Sequence, residues 1–550
     1  MVDLNAFMDY WETTELIIAA SPLPRFQTLC LTDLPPEIID RIMEHSSPGE
    51  LRVWCMTCRL LRERALYYAY EALEYEMTPK ELERDRLRSE PIGSDHFPQM
   101  QEYIRGIAMG QRDAILHRMR HAMGQPSIAR QIRRLAFVET WTSTRTRSRL
   151  EPFSYMDHMG ISYHDMFTPV FELLVDHLRS SPVDKLVYQS RFIYAYLWDA
   201  ISESANLRHL DLVTNVPTDT PWPLAPNVVN LHLTIFNTDD HPDRLWNIAY
   251  SCPSTLFLHV RDPFRYMVYI PRALSSADGR NIMTHVRRLD LQDVIADTLI
   301  NLVTAILVAG TIPLTHLAIS ATVSRIKRAI ALVLADSLRN APNLAALRLS
   351  GLHFVDPVFF ALLGQCVPNL RQLVIEYKPG ILLSKSYPKA PWPFPSYCYA
   401  PLFAAFPYLE HLGLNIPIVD VSCTSKYLAR MESGYQDMPS VEEGDLGQDS
   451  SGTAVDCVAM EGARAMARLF AVYAPRLRTI FFEQVALQVW NSAWAIDRDP
   501  NGRPLPRRDL TRKERSRGMT CGSFRWAADW EFSEKELKEI LRGASTPSSI

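Results

Sequence analysis

A short apolar signature, L-x-x-L-x-L with other apolar residues admitted, returns along most of this 550-residue chain and limits what it can fold into. Clear copies are Leu207/Leu210/Leu212, Val228/Leu231/Leu233, Val286/Leu289/Leu291, Leu314/Leu317/Ile319, Leu344/Leu347/Leu349, Leu370/Leu373/Ile375, Leu409/Leu412/Leu414 and Leu477/Ile480/Phe482. Weaker copies are Ile132/Leu135/Phe137, Val183/Leu186/Tyr188 and one anchored on Leu256 with Leu258, whose first position has gone to Pro253. Of the ten steps between successive middle residues, six are 21 to 30 residues long. That is room for one strand, one helix and two turns, so the spacing predicts a repeated unit.

Proline marks the same place in several units. Pro226, Pro342, Pro368, Pro407 and Pro475 each stand two residues before the first apolar position. Before the last four runs an apolar, helix-like segment: IALVLADSLRNA, PVFFALLGQCV, PLFAAF and ARAMARLFAVYA. Proline has no amide donor and pushes its predecessor out of the α region, so it ends the helix there. The residues that follow alternate apolar and polar, as a half-buried strand does. One such unit cannot bury its own apolar faces, but stacked neighbours share a continuous core. A plain α/β domain with several βαβ units satisfies the same pattern and stays open at this point, since the asparagine after the strand, present as Asn215, is missing from most copies.

Residues 31–66 read LTDLPPEIIDRIMEHSSPGELRVWCMTCRLLRERAL. Pro36 suits a first helical turn, and Leu34, Ile38, Ile39, Ile42 and Met43 make a wide stripe on one helical face. Ser47-Pro-Gly-Glu50 has the form of a capping box opening a second helix, with Leu51, Trp54, Cys58, Leu61 and Ala65 as the next stripe. Three short helices make too small a core to stand comfortably alone, so a leftover apolar face would want a partner.

This segment resembles an F-box, through Leu34-Pro35-x-Glu37-Ile38-Ile39-x-x-Ile42, then Leu51, then Cys58-Arg59-x-Leu61. It departs from the commonest pattern at Thr57, where valine is usual, and at Leu61, where tryptophan is frequent. Over about residues 126–490 the repeats resemble the irregular leucine-rich repeats of F-box proteins. The resemblance implies that Leu34, Pro35, Ile38, Ile39, Ile42 and Leu51 dock on a Skp-type adaptor, with Glu37, Cys58 and Leu61 completing the motif. That adaptor would join the chain to a cullin–RING ubiquitin ligase, while the solenoid holds the protein to be ubiquitinated.

The expected fold class is α/β: a short all-helical F-box-like module followed by a leucine-rich-repeat solenoid, parallel strands on the concave side and helices on the convex side. The expected plan is a flexible segment 1–28, the module at 29–75, a helical linker at 76–125, the solenoid at 126–490, and a basic linker with a C-terminal helix at 491–550. An acidic insertion at about 431–456 carries seven acids and no Lys or Arg from Glu432 to Asp456. Residues 498–517 hold eight basic residues, read as a charged linker, and Ser533-x-x-Glu536 is a second capping-box pattern.

Aromatic residues framed by proline stand out in two loops. KSYPKAPWPFPSYCYAP contains Trp392, Phe394, Tyr397 and Tyr399, and PTDTPWPLAP contains Trp222. Rigid aromatics lose little entropy on binding, so Trp392, Phe394, Tyr397 and Trp222 are candidate cargo-binding residues; loop residues folded onto the solenoid edge are the alternative. On the strands, His209, Asp211, His232, Asp290, Arg348 and Arg371 alternate with leucines and are expected to face outward.

Other function classes find little support. The formal charge of −4 supplies no basic field for holding nucleic acid. Nine scattered cysteines suit a reducing, intracellular setting, cytoplasm or nucleus, better than a disulfide framework, and Cys55/Cys58 read as packing residues because no second metal-spaced pair follows. The stretch Thr298–Ser324 is long and nearly uncharged, yet Asn301, Gly310, Pro313 and His316 interrupt it, so no membrane span is expected. No GxSxG, P-loop, GxGxxG or HExxH occurs. His117 and His121 are four apart, a spacing that shares a helix face, but enclose Arg-Met-Arg with no acidic base. His158, His164 and Asp165 form a loose cluster whose geometry the sequence does not fix. The chain is therefore expected to be a non-catalytic adaptor with no metal and no cofactor. A leucine-rich-repeat scaffold with no ligase role is the alternative.

Overall fold

A computed structural model of the chain describes residues 31, 34–78, 97–141, 161–215, 222–235, 244–262, 267–272, 274, 281–321, 324–377, 392–394, 398–416, 454–483, 491–508, 532 and 536. The contacts divide into two units, Met1–Ala72 and Leu73–Ile550.

The first unit holds three helices, α1 (Pro36–His45), α2 (Pro48–Trp54) and α3 (Arg59–Tyr70). Pro36 and Pro48 both sit in first turns, where a missing donor costs no helical bond. The capping box opening α2 is formed: Ser47 Oγ accepts from Glu50 N–H at 3.3 Å, and Glu50 Oε2 accepts from Ser47 N–H at 2.6 Å. Those bonds to the ionised form hold the Glu50 carboxyl below its usual pKa. The core is small, built from Ile39, Met43, Leu51, Leu61 and Ala65, with Leu31, Leu34, Trp54, Cys55, Tyr68 and Ala69 packed around it. Arg64 ties α3 to α1 by a 2.5 Å bond to Asp40. The continuous stripe through Cys58 is broken in the fold. Cys58 is an exposed cap residue between α2 and α3, while Cys55 alone packs on the core.

The second unit is one sheet of fourteen strands in strict chain order. Its elements run β1 (Ala72–Met77), α4 (Phe97–Met123), β2 (Arg134–Glu139), α5 (Tyr163–Ser180), β3 (Lys185–Phe192), α6 (Ala195–Glu203), β4 (His209–Asn215) and β5 (Asn230–Ile235). Next come α7 (Arg244–Ser251), β6 (Phe257–Arg261), β7 (Arg288–Leu291), α8 (Leu299–Ala309), β8 (His316–Ser320), α9 (Arg328–Ser337), β9 (Ala346–Ser350), α10 (Pro357–Cys366) and β10 (Gln372–Glu376). The series closes with β11 (His411–Leu414), α11 (Ala454–Tyr473), β12 (Thr479–Glu483), β13 (Asn491–Arg498) and β14 (Pro504–Arg508). From β2 to β12 every neighbouring pair is parallel; β12–β13 and β13–β14 are antiparallel. Strand neighbours always being sequence neighbours is what separates a solenoid from a doubly wound sheet, whose order reverses at a switch point. The chain is a mixed α/β solenoid of the leucine-rich-repeat kind.

Two backbone devices recur at the repeat boundary. Before each of four strands, a turn closes over the proline: Leu344 N–H donates to Ala341 O, Leu370 to Val367, Leu409 to Phe406 and Leu477 to Ala474, at 3.0 to 3.2 Å. Proline at the second place of such a turn has its φ already set. Then one carbonyl takes two donors from the next repeat: Arg133 O accepts from Asp184 and Lys185 N–H at 2.7 and 3.1 Å. The same pattern repeats at the carbonyls of Asp184, Arg208, Val229, Leu256, Arg287, Thr315, Ala345, Arg371 and Glu410.

The signature leucines form the core. Leu135, Leu186, Leu210, Leu231, Leu258, Leu289, Leu317, Leu347, Leu373, Leu412 and Ile480 lie in one ladder, and all are buried. The weak repeat anchored on Leu256 is corrected here. Leu258, not Leu256, pairs with Leu231 and Leu289, and the first position is the buried Thr255. Helices cover this face: the Phe137 ring meets Phe171 of α5 at 5.6 Å, and Phe482 meets Phe470 of α11 at 6.1 Å.

Three expected boundaries differ. The sheet begins at Ala72 rather than near residue 126, because Leu73, Tyr75 and Met77 alternate with exposed neighbours as a strand. The region taken as a helical linker holds α4, which packs on α5. Residues 491–508, taken as linker, are a hairpin whose buried Trp494 and Ile496 extend the sheet. The segment 1–28, the acidic insertion apart from its last residues in α11, and most of 509–550 lie outside the described residues. Thr298–Ser324 is divided between α8 and β8, and among the described residues no helix is long and apolar enough to cross a membrane.

Candidate functional site

Two surfaces present side chains that the cores do not use. In the first unit, the motif residues separate into two roles. Ile39, Leu51 and Leu61 are buried at 2%, 5% and 4% exposure and hold the helices together. Leu34 and Ile42 are half-buried, and Pro35, Glu37, Ile38 and Cys58 face solvent. Thus Ile39, Leu51 and Leu61 belong to the core of the unit rather than to its surface. The exposed set is joined by residues the motif does not name: Val53, Met56, Leu60 and Tyr67. Met56, at 80% exposure, is held one turn from Val53 by a 2.9 Å backbone bond. Five exposed large apolar side chains beside a five-residue core are far from the usual balance of a small folded unit.

The second surface is the face of the solenoid sheet opposite the leucine ladders. Between the leucine ladders run ladders facing the other way, and their middle registers bring together Asp211, His232, His259, Asp290, Ala318, Arg348 and Val374. Polar members bond to one another across strands. His259 Nδ1 lies 2.8 Å from Asp290 Oδ2, the His232 and His259 rings are 5.4 Å apart, and Asn230 Nδ2 is 2.8 Å from His209 Nδ1. His209, Asp211, His232, Asp290 and Arg348 do face this side but are half-buried, and Arg348 pairs with the buried Glu376 at 3.4 Å. Arg371 is exposed.

Part of this face is apolar and covered. Val229, Phe257, Ala318, Ala346, Val374, Phe481 and Ala493 form a buried cluster whose eighth member is Phe532. Beside it stand Arg288 and His316 in one register. Burial, together with the Arg288 charge, pulls the His316 pKa down to about 4, against an upward pull from Glu536. Sequence reasoning passed over Arg288, Phe257 and Phe532; the only available signal was that the first strand register breaks its polar habit at Phe257 and Ala346.

The proline-framed aromatics behave differently from one another. Trp392 is 2% exposed, stacked on Phe360 at 6.3 Å and edge-on to Tyr399 at 5.1 Å. Tyr399 is anchored by its hydroxyl, which donates to Val355 O at 2.9 Å. Trp392 is therefore a packing residue, and its assignment as a presented anchor is corrected. Trp222 is half-buried, edge-on to Trp198 at 4.9 Å. Phe394 remains exposed, and Tyr397 lies outside the described residues.

Among the described residues no group of three or more His, Cys, Asp or Glu is arranged to hold a metal. His164 Nδ1 meets the Thr168 hydroxyl at 2.9 Å and His121 Nε2 meets Gln125 at 3.1 Å, while His158 lies outside the described residues.

No family model matches the sequence, and no curated protein matches it. Among solved structures the chain is similar to a crystal structure of a TLR13–ssRNA13 complex, at 13% identity and a TM-score of 0.25, covering 57% of this chain and 34% of that one. The chain thus spans about a third of that protein's length, and the solenoid architecture stands on the strand ladder itself.

Proposed function

We propose that the chain is a substrate-recognition adaptor of a cullin–RING ubiquitin ligase, its first unit binding a Skp-type adaptor and its solenoid binding a target protein. The observation that carries the first half is the split within the motif. Its inner residues Ile39, Leu51 and Leu61 join Met43 and Ala65 in a core of five side chains, while Pro35, Glu37 and Ile38 are left at the surface, as are Val53, Met56 and Leu60. Burying those apolar groups against a partner stabilises by roughly 25 cal/mol per Å². Thr57 and Leu61 depart from the commonest motif, but Leu61 lies in the core, where size matters more than identity.

The second half is supported by the long sheet face opposite the leucine ladders, a surface of alternating polar and apolar ladders suited to an extended partner. The chain forms no bond itself. Its part in catalysis is tethering, which raises the concentration of target lysines near a charged conjugating enzyme.

The test is capture of the full chain by a Skp-type adaptor, comparing wild type with Pro35→Ala/Ile38→Ala at matched circular dichroism. Capture lost in the variant supports the reading. No capture of folded wild type overturns it and leaves a repeat scaffold without ligase function.

A further inference from the structure

The sheet face opposite the leucine ladders carries one feature the adaptor reading does not need. Phe532, far along the chain from Arg288 and Asn230, is 5% exposed within the apolar cluster of that face. The Arg288 guanidinium lies 3.8 Å from the centre of the Phe532 ring, and the same side chain donates to Glu536 Oε1 at 2.6 Å. The Phe532 N–H donates to Asn230 Oδ1 at 3.5 Å. Phe532 and Glu536 are four apart, Phe532 outside any helix and Glu536 in a helical turn. They straddle one cation whose side chain is only 8% exposed.

The leucine core on the opposite face is complete without these contacts. Phe532 instead belongs to the apolar cluster of this face, seated in a hollow walled by Arg288. A planar guanidinium offers both a face for an aromatic ring and a fork for a carboxylate, so the hollow specifies a pair of groups rather than bulk apolarity. The Glu536 side chain is still 42% exposed, which places the ionic contact at a rim that water reaches. Because the guanidinium itself is buried, only a segment that brings its own carboxylate can replace this contact without loss.

We propose that the sheet face around Arg288 is a docking site for a protein segment bearing an aromatic residue followed four positions later by a carboxylate, and that Phe532 and Glu536 of this chain occupy it in cis. The proposal rests on the reading of the solenoid as a protein-binding surface and is independent of the Skp contact. The tethered segment acts as a built-in competitor. A partner binds with an affinity reduced by the fraction of molecules in which the site is open, so only segments matching both groups displace it.

The probe is a fluorescent peptide of residues 527–541, titrated by anisotropy against the full chain as wild type, Glu536→Gln, Phe532→Ala/Glu536→Gln, and that double variant with Arg288→Lys. The double variant is expected to bind at least about tenfold more tightly than wild type, and Glu536→Gln alone to fall between them. Lysine keeps the charge but loses the plane and the fork, so Arg288→Lys is expected to cancel the gain. Equal binding by wild type and both opened variants, with circular dichroism unchanged, overturns the proposal, as does a gain that survives Arg288→Lys. Glu536→Gln, altering a half-exposed side chain, keeps the test decisive if the double variant does not fold. Skp capture in the same preparations separates the two readings. Capture without peptide binding removes this inference alone, and peptide binding without capture removes the ligase assignment alone.

Discussion

Arg328, the first residue of α9, reaches across one repeat to Asp356, the residue that caps α10, and meets its carboxylate at 2.5 Å. The other oxygen of Asp356 accepts the N–H of Phe359 at 2.9 Å, so one buried carboxylate both starts a helix and links it to its neighbour. Asp356→Ala is expected to cost about 1–2 kcal/mol, nearly all of it from the cap, because Arg328 is half-exposed and its pair is screened. Asp356→Asn keeps the acceptor and should lose less than half of that. Urea midpoints followed at 222 nm check the order; equal losses in both variants would assign the effect to charge.

Gly351 follows β9 with φ +95°, and a β-carbon there would run into the Ala321 carbonyl of the preceding repeat. Gly351→Ala therefore combines backbone strain with a backbone collision, at a cost of at least about 2 kcal/mol. A thermal midpoint within a degree of wild type would contradict this account.

Ile38 and Ile39 are adjacent in the motif but have opposite fates. Ile39→Ala empties a core of five residues and should destabilise the first unit by about 2–4 kcal/mol. Ile38→Ala removes a side chain that is 47% exposed and should change stability by under about 1 kcal/mol while weakening adaptor capture. Proteolysis rates report the first effect, and pull-down of the intact chain reports the second.

Trp392 and Phe394 divide in the same way. Trp392→Ala opens a cavity beside Phe360 and Tyr399, with an expected loss of about 3–5 kcal/mol whatever the partner. Phe394→Ala, at a 49% exposed position, should leave the denaturation curve within about 0.5 kcal/mol of wild type. Identical shifts for the two variants would refute the division.

His177 lies fully buried in α5, its ring tilted against Tyr75 at 6.2 Å, and burial pulls its pKa from 6.5 to about 4. The folded state then binds fewer protons than the unfolded chain between these two values. Stability is complete above about pH 6.5 and falls as the pH drops toward 4, by a total on the order of 3 kcal/mol from this group. His177→Leu should flatten that part of the stability profile, measured by urea midpoints at pH 7.5 and 4.5. An unchanged slope would place the acid sensitivity elsewhere.

Much of the solenoid is written locally. The leucine ladders, the proline-closed turns and the Ser47–Glu50 box each depend on residues within a few positions of one another, so periodicity and capping rules reach them. The Leu256 repeat slipped by two residues because its first position is Thr255, a polar residue that is nevertheless buried. β1 and the hairpin of β13 and β14 lie outside the copies of the leucine signature, and the prolines and arginines of β14 resemble a linker. Which motif residues face outward was beyond the sequence as well, since one helical stripe supplies both core and surface when only three helices are present. The contact of Arg288 with Phe532 and Glu536 is the least legible, because it joins distant segments and no local pattern encodes it.

The last strand, Pro504-Leu505-Pro506-Arg507-Arg508, sets a limit on the whole array. A stack of parallel strands with a bare edge is a template on which another copy can add its own strand, and so on without end. β14 pairs with β13 in the antiparallel sense, and proline has no N–H, so the bonds between them must come from the residues that alternate with Pro504 and Pro506. At Pro504 and Pro506 the edge away from β13 has carbonyls but no N–H donors, and the charge of Arg507 stands beside them. At those two positions another strand finds no donor to pair with, which disfavours the addition of a second copy there.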